Sequence, residues 1–313
     1  MNNVSRLIRS EDLPPQLYEH DNKCLRFAPS LTSGYRNVLA ARGILEAAIA
    51  AVHESEIGGA AAHEAERHFM TAYSGSCARI KLAMLDPQEL LQEASNVFIR
   101  AFAGGRVGLL DIPCGGGAAT AALLCTIAEL RAQRILPALP LEVQLVGGDI
   151  SIDARQYARE IFDAIDPHLR ANGIAVSADF QPWDVCDAHS TSAIVHRWMG
   201  HAHNCREHFV LTANCSGFLK DGGHFKEAHD QLNEIFRYAI LQRSTIAWIE
   251  PQTKGAMGSH WPQLLQRFLP TFAKWFAAPS APLCAESSFI HPLQDGRIYA
   301  VRVSLIKLET KQP

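Results

Sequence analysis

The stretch LLDIPCGGGAAT, residues 109–120, has the pattern of a buried strand that runs through three consecutive glycines into a helix. Consecutive glycines are costly in backbone entropy, which indicates that something approaches this backbone closely or that the loop needs positive φ angles. The loop does not match G-x-G-x-x-G, because Ala119 and Thr120 follow where the third glycine would fall, and it lacks G-K-[ST]. Both departures argue against a dinucleotide or a nucleoside triphosphate as the ligand.

The residues after this loop alternate between strand and helix patterns, which is typical of a parallel sheet with crossover helices. Five segments have the pattern of buried strands: 107–112, 141–150, 174–180, 208–215 and 244–250. A long helix precedes the last of them, and a further helix carries Trp261, Leu264, Leu265 and Phe268. Residues 287–309 contain Asp295-Gly296 between two strand-like runs, which predicts a hairpin. The sequence therefore predicts an α/β protein with a doubly wound, mostly parallel, seven-stranded sheet and an antiparallel C-terminal hairpin.

The first third of the chain has helical patterns instead. Apolar residues recur at helical spacing from Val38 to Val52. A second helix is predicted over residues 86–102, with Asp86 as its N-cap, Pro87 in the first turn and Glu89 three residues after the cap. We expect two regions: a helical N-terminal cap for substrate recognition over 1–105, and a ligand-binding domain over 106–313.

Composition limits the class of protein. The chain has 313 residues, of which 48% are hydrophobic and 19% charged, as in globular proteins. A net charge of −3 gives no overall attraction to nucleic acid, although it does not exclude a local basic face. The first residues are too polar for a signal peptide and no apolar run has membrane-spanning length. We therefore expect a cytoplasmic protein without a membrane partner, in which the eight scattered cysteines are reduced thiols.

The glycine loop resembles the first motif of the class I S-adenosylmethionine-dependent methyltransferases, in which D-x-x-C/G-x-G ends the first strand of a Rossmann-like sheet. Asp111, Gly115 and Gly117 occupy the motif positions, and Pro113-Cys114 matches a variant of it. The resemblance implies that S-adenosyl-L-methionine is the cofactor and that these five residues contact it. Its sulfonium, amine and carboxylate, without any phosphate, suit a carboxylate at the strand end.

Acidic residues follow the next two strands. Asp149 ends the second strand, where an acid binds ribose hydroxyls in doubly wound sheets, and Ile150 follows it. The alternative role of Asp149 is to cap the helix that begins near Ser151. The resemblance implies that an acid after the third strand meets the adenine amino group and that the next residue packs on the ring. Asp184 with Val185 is the first choice for this pair, and Asp179 with Phe180 is the second.

Residues after the fourth and fifth strands are the candidates for catalysis, because active residues lie at the carboxyl ends of such strands. Asn214 is predicted to bind substrate or cofactor, and Glu250 to act as a general base or to anchor a substrate amine. Cys215 is a weaker candidate, since nothing in the sequence indicates a lowered pKa of its thiol. Tyr35 and Arg36 begin an N-terminal helix and are predicted to touch the substrate, Tyr35 in a catalytic role and Arg36 as a carboxylate or phosphate clamp.

Histidines cluster between residues 196 and 208, but their spacing matches no standard zinc module, and we expect no metal there. The ordered set of motifs predicts in-line methyl transfer from S-adenosylmethionine to an O, N or C atom of a small molecule. The alternatives are a catalytically silent methyltransferase-like binding protein and an RNA or protein methyltransferase. A nicotinamide oxidoreductase is disfavoured by the missing third glycine and by the hairpin. Homodimer formation is left open.

Overall fold

A computed structural model describes residues 5–51, 59–215, 217, 219, 224–252, 276–277 and 282–310. Its helices begin and end as follows: α1 Pro29–Ala41, α2 Leu45–Ala50, α3 Ala62–Thr71, α4 Tyr73–Leu85, α5 Gln92–Ala101, α6 Ala118–Ala132, α7 Ile152–Ala171, α8 Ala188–Ala202 and α9 Phe225–Leu241. The strands are β1 Tyr18–Glu19, β2 Cys24–Leu25, β3 Gly105–Asp111, β4 Leu141–Asp149, β5 Ile174–Pro182, β6 Glu207–Ala213, β7 Thr245–Pro251, β8 Phe276–Ala277, β9 Leu283–Ile290 and β10 Ile298–Thr310. The predicted helix around Trp261 lies outside the described residues.

One sheet organises the chain, in the order β1-β2-β9-β10-β7-β6-β3-β4-β5. Strands β7, β6, β3, β4 and β5 run parallel to one another, as the alternation of strands and helices predicts. Strands β9 and β10 form the predicted antiparallel hairpin, and β10 also pairs antiparallel with β7. The α/β class and the mostly parallel sheet are thus confirmed.

The predicted number of seven strands is wrong. Nine strands follow one another across the described sheet, and the two-residue β8 pairs with the end of β10. The additional strands β1 and β2 come from the N-terminal region, where β2 pairs parallel with β9. Strands of two residues are too short to produce an alternating apolar pattern, which is why sequence periodicity does not reveal them.

Helices cover both faces of the sheet, in two buried clusters. The larger cluster contains apolar residues of α1 and of α3 to α7 together with one face of the strands. The smaller cluster is formed by α8, α9 and the opposite face, around Trp198 and Trp248. The helices before β3 therefore share a hydrophobic core with the sheet. No helix in the described ranges is both long and apolar enough to cross a bilayer.

The predicted N-cap at Asp86 is wrong. Asp86 ends α4 in a left-handed conformation with φ 41°, and α5 begins only at Gln92. Its buried carboxylate accepts hydrogen bonds from Arg6 Nη1 at 2.8 Å and from the Leu90 N–H at 2.9 Å. The local pattern resembles a capping box, but Arg6 comes from a distant part of the chain, and this contact holds Asp86 in a turn instead.

Candidate functional site

The carboxyl ends of the neighbouring strands β6, β3, β4 and β5 meet along one edge of the sheet, and a cavity lies there. It encloses about 1080 Å³, part of which is open to solvent. The sheet side is lined by the segments that follow these strands: 113–116, 149–150, 183–185 and 213–215. Helices α3, α4 and α7 close the other side with His68, Phe69, Tyr73, Ser76 and Tyr157 among other residues.

Each glycine of the loop has a separate structural reason. Gly115 has φ 49°, and its N–H donates to Asp149 Oδ2 at 3.0 Å. Gly117 begins α6 with φ 77°, a left-handed conformation that disfavours other residues. A Cβ on Gly116 would lie 2.8 Å from Cδ2 of Phe69, so the aromatic ring occupies the space that a side chain would need. The loop is therefore shaped both by backbone conformation and by close packing against α3.

Asp149, the predicted ribose ligand, lies on the cavity wall, and it also holds the loop in place. Its Oδ1 accepts from the Ser151 N–H at 2.9 Å, while its Oδ2 accepts from Gly115. Burial raises its pKa, and these two hydrogen bonds oppose that shift. The helix cap is Ser151, whose hydroxyl accepts from the Ala154 N–H at 3.2 Å. Each carboxylate oxygen of Asp149 retains capacity to accept a further hydrogen bond from a ligand.

Of the two predicted adenine-binding pairs, the structure brings Asp184 and Val185 to the cavity. The Asp184 carboxylate accepts from the Cys186 N–H at 2.8 Å, and Val185 is buried beside it. Asp179 forms an ion pair with Arg197 instead, and its neighbour Phe180 packs against Phe162. Ile150 also lines the cavity and is 46% exposed, so it presents an apolar surface at the opening.

Asn214 lies in the cavity wall after β6, in a left-handed conformation with φ 58°. Its Oδ1 accepts from Arg79 Nε at 2.7 Å, and its Nδ2 donates to Ser76 Oγ at 3.1 Å. Both partners belong to α4, so the side-chain amide of Asn214 connects the end of β6 to the N-terminal helices.

Glu250, the predicted general base, is fully buried and is not among the residues that line the cavity. Its Oε1 accepts from the Cys215 N–H at 2.9 Å and from Trp248 Nε1 at 2.6 Å. Burial and the Glu250 charge raise the pKa of the Cys215 thiol well above its ordinary value. This arrangement positions the backbone after β6 and disfavours a nucleophilic thiolate at Cys215.

Asp111 and Gly117 are predicted cofactor contacts that lie behind the cavity wall, whereas Pro113 and Cys114 line it. Asp111 is 1% exposed, and its Oδ2 accepts from Thr120 Oγ1 at 2.7 Å. Burial raises the pKa of Asp111 to about 7. The side chain therefore connects the end of β3 to the first turn of α6.

Tyr35 and Arg36, the predicted substrate contacts, are also not among the lining residues. Tyr35 is fully buried; its hydroxyl donates to the Phe69 carbonyl at 2.7 Å and its ring stacks on Tyr73 at 4.5 Å. Tyr35 thus supports the two aromatic side chains that do face the cavity. Arg36 is partly buried on α1.

Sequence reasoning missed the side chains that α3 and α4 contribute. His68 and Phe69 are consecutive residues of α3, Tyr73 and Ser76 are three residues apart on α4, and all four line the cavity. Burial, and then the charge of Arg79, lower the pKa of His68 to about 4, so its imidazole is neutral at physiological pH. Helical spacing groups these residues by face, but it does not show that the face is turned towards the ends of the strands.

The histidine cluster is dispersed in the fold. His201 lies 3.5 Å from Asp179, and ring nitrogens of His203 and His208 contact the carbonyls of Gly200 and Ala202. Among the residues that the structure describes, no group of three or more His, Cys, Asp or Glu side chains is placed to hold a metal ion.

The chain was also compared with known proteins. No protein-family profile matches it. No curated protein is significantly similar to it.

Proposed function

We propose that the protein is an S-adenosylmethionine-dependent methyltransferase that acts on a small molecule. The proposal depends mainly on the order of groups along the cavity. From β5 to β6 the strand ends present Asp184 with Val185, then Asp149, then the glycine loop, and then Asn214. A nucleoside joined to an amino acid offers complementary groups in that order: a base, ribose hydroxyls, and a charged, hydrogen-bonding tail.

Phosphate-bearing ligands fit the same cavity poorly. The N–H of Gly115, which would otherwise be free to bind an anion, donates to the Asp149 carboxylate. The carboxylate oxygen that accepts this bond, Asp149 Oδ2, also places negative charge beside the glycine loop, where a pyrophosphate would lie. This local charge favours a nucleoside without phosphate over a nicotinamide dinucleotide.

The residues present fit the cofactor at the base and ribose positions. Val185 and Ile150 offer apolar surface for a flat ring, and Asp184 can accept from an exocyclic amine. Asp149 keeps free acceptor capacity for hydroxyl donors. When bound, S-adenosylmethionine supplies a methyl group that its positive sulfonium has already activated.

Apart from binding the cofactor, the protein must align the methyl acceptor with the sulfonium and exclude water. The ring of Phe69 stacks on Tyr157 at 4.3 Å and meets Tyr73 edge-on at 4.9 Å, which forms an aromatic wall opposite the loop. Aromatic faces attract cations and shield the reacting atoms from water. The neutral imidazole of His68 can accept a hydrogen bond from a hydroxyl or amine group of the methyl acceptor. Holding two reactants in line accounts for much of the rate of such a transfer.

A small acceptor is favoured because helices α3, α4 and α7 enclose the cavity on the side opposite the strands. The aromatic residues there pack on one another and line an interior wall, unlike the exposed stacking surfaces that bind single-stranded nucleic acid.

Calorimetry with S-adenosylmethionine tests the proposal. We expect the wild type to bind and Asp149→Ala to lose roughly tenfold or more in affinity, because hydrogen bonds to a charged group are lost. The matched control is Asp163→Ala, which changes an exposed aspartate of α7 and should leave binding unchanged. Absence of binding by the wild type would refute the proposed function. Full affinity in the Asp149 variant would refute this placement of the ribose.

A further inference from the structure

Arg79 has an unusual place in the fold. It belongs to α4, where each of the other residues is buried, and it is the position at which this helix retains exposed surface. Tyr73 and Ser76 precede it at three-residue intervals and both line the cavity. Arg79 itself is not among the lining residues, but its guanidinium is bonded to two that are, Ser76 and Asn214.

A closed set of hydrogen bonds orients its guanidinium group. Nε donates to Asn214 Oδ1 at 2.7 Å and Nη2 donates to Ser76 Oγ at 3.2 Å. Asn214 Nδ2 donates to the same Ser76 hydroxyl at 3.1 Å, which completes a triangle. The triangle leaves the Nη1 hydrogens and the second Nη2 hydrogen to bind another group.

The positive charge of Arg79 has no direct counter-ion among the described residues. Its side-chain hydrogen bonds go to Asn214 and Ser76, which are both uncharged. Burial lowers its pKa to about 10, and the charge of Glu250 only partly opposes that shift. Glu250 Oε1 is already bonded to Cys215 and Trp248. Arg79 is partly buried and has no carboxylate partner among the described residues, so its charge is available to an anionic ligand.

We propose that Arg79 binds a carboxylate group of a ligand in this cavity. A planar carboxylate matches the two parallel N–H groups that the guanidinium retains. The acids Asp184 and Asp149 lie at the other end of the cavity, so a ligand that carries hydroxyl or amino groups at one end and a negative charge at the other suits the charge distribution. Neither Arg79 nor Arg36, for which the sequence predicts this role, is among the residues that line the cavity, but Arg79 is bonded to Ser76 and Asn214 of its wall.

The inference rests on the proposed function, within which a carboxylate has two sources: the methionine part of the cofactor, or the methyl acceptor. The first arm compares S-adenosylmethionine with its decarboxylated form by calorimetry. If the cofactor is the source, Arg79→Met lowers affinity for S-adenosylmethionine roughly 10- to 100-fold and leaves affinity for the decarboxylated form unchanged.

The second arm tests the acceptor. Benzoate and hexanoate, with their amides as neutral controls, are titrated by NMR into protein saturated with S-adenosylhomocysteine. If the wild type binds a carboxylate but not its amide, and Arg79→Met does not bind that carboxylate, the carboxylate that Arg79 binds belongs to the methyl acceptor. If the variant matches the wild type in both arms, the proposal is overturned.

Two further variants separate a binding role from a structural one. Arg79→Lys keeps the charge without the planar group and should retain only part of the affinity. Arg100→Met removes an exposed arginine of α5 and should leave the affinities for the nucleosides and for the carboxylates unchanged. Arg79→Met also removes the hydrogen bonds to Asn214 and Ser76, so thermal unfolding is measured to verify that the variant is folded.

Failure of the proposed function gives a different result. If the wild type binds neither nucleoside, the carboxylates are titrated into the ligand-free protein. Arg79-dependent binding then supports the anchor in a site of another class, and absence of binding overturns it.

Discussion

Replacing the buried Lys81 by methionine is expected to stabilise the protein, by an amount that depends on pH. Lys81 is 2% exposed on α4, and its Nζ has no hydrogen-bond partner among the described residues. Burial lowers its pKa well below the ordinary value, and the nearby Glu129 only partly opposes this. Glu129 keeps a hydrogen bond from Gln133 at 2.9 Å, so it remains paired in the variant.

The magnitude follows from proton linkage. A lysine in the unfolded chain titrates near ~10.4. Where the native amine is neutral and the unfolded one is charged, the unfolded state holds one more proton. The free energy of unfolding therefore rises with pH, by about 1.4 kcal/mol per unit. Lys81→Met removes this dependence, so at pH 9 the variant should be more stable by about 2 kcal/mol. For a chain of 313 residues this corresponds to roughly 3 °C in Tm.

Urea unfolding at pH 9, 9.5 and 10, followed by tryptophan fluorescence and circular dichroism, measures the effect. The stability difference between variant and wild type should shrink steadily towards pH 10. Lys226→Met, on the exposed surface of α9, is the control and should change stability by less than about 0.5 kcal/mol. Equal stabilities of wild type and Lys81→Met, or a difference independent of pH, would contradict the reasoning.

The remaining predictions concern the glycine loop and the end of β3. Gly116→Ala should lower the free energy of unfolding, measured in urea, by about 1–3 kcal/mol, because its Cβ would lie 2.8 Å from the Phe69 ring. Adding Phe69→Leu should recover part of this lost stability. If Gly116→Ala has the same free energy of unfolding as the wild type, the Phe69 ring moves aside without strain. The Asp111 carboxyl has a folded pKa of about 7 and an unfolded pKa near ~3.9, so the native state holds more protons between these values. Its contribution to the free energy of unfolding is therefore complete below pH ~4 and falls by about 4 kcal/mol as the pH rises to 7. Asp111→Asn should flatten this dependence of the free energy of unfolding on pH. If the variant keeps the wild-type dependence, Asp111 is excluded as its origin.

The sheet could be predicted from sequence where the strands are long and buried. The runs that became β3, β6 and β7 have continuous apolar centres, which is what parallel strands covered on both faces require, whereas β4 alternates between apolar and polar residues in its first half. The strands β1 and β2 could not be found, because each has only two residues and is held by pairing with β9. Asp86 was assigned to the wrong helix because its partner Arg6 is remote in sequence.

The residues of the candidate site also fall into two groups, those that sequence patterns reveal and those that only tertiary packing reveals. Asp149, Asp184 and Asn214 were predictable, because parallel strands deliver the residues at their carboxyl ends to one edge. The cavity position of His68 and the contact of Arg79 with Asn214 were not, because the docking of α3 and α4 over that edge depends on tertiary packing that helical periodicity does not encode. Tyr35 shows the opposite error: a side chain suited to substrate contact is instead used to support its neighbours.

The position of β10 between β7 and β9 has a consequence for biosynthesis. The strands from β3 to β7 emerge from the ribosome in order, and each can pair with a strand already made. Strand β7 must then wait with one open edge until β10, which is made after β9, inserts beside it. Strand β2, made long before, joins the sheet only through β9. Until β10 is made, the edge of β7 lacks this partner, and an unpaired strand edge is a site at which a nascent chain can aggregate.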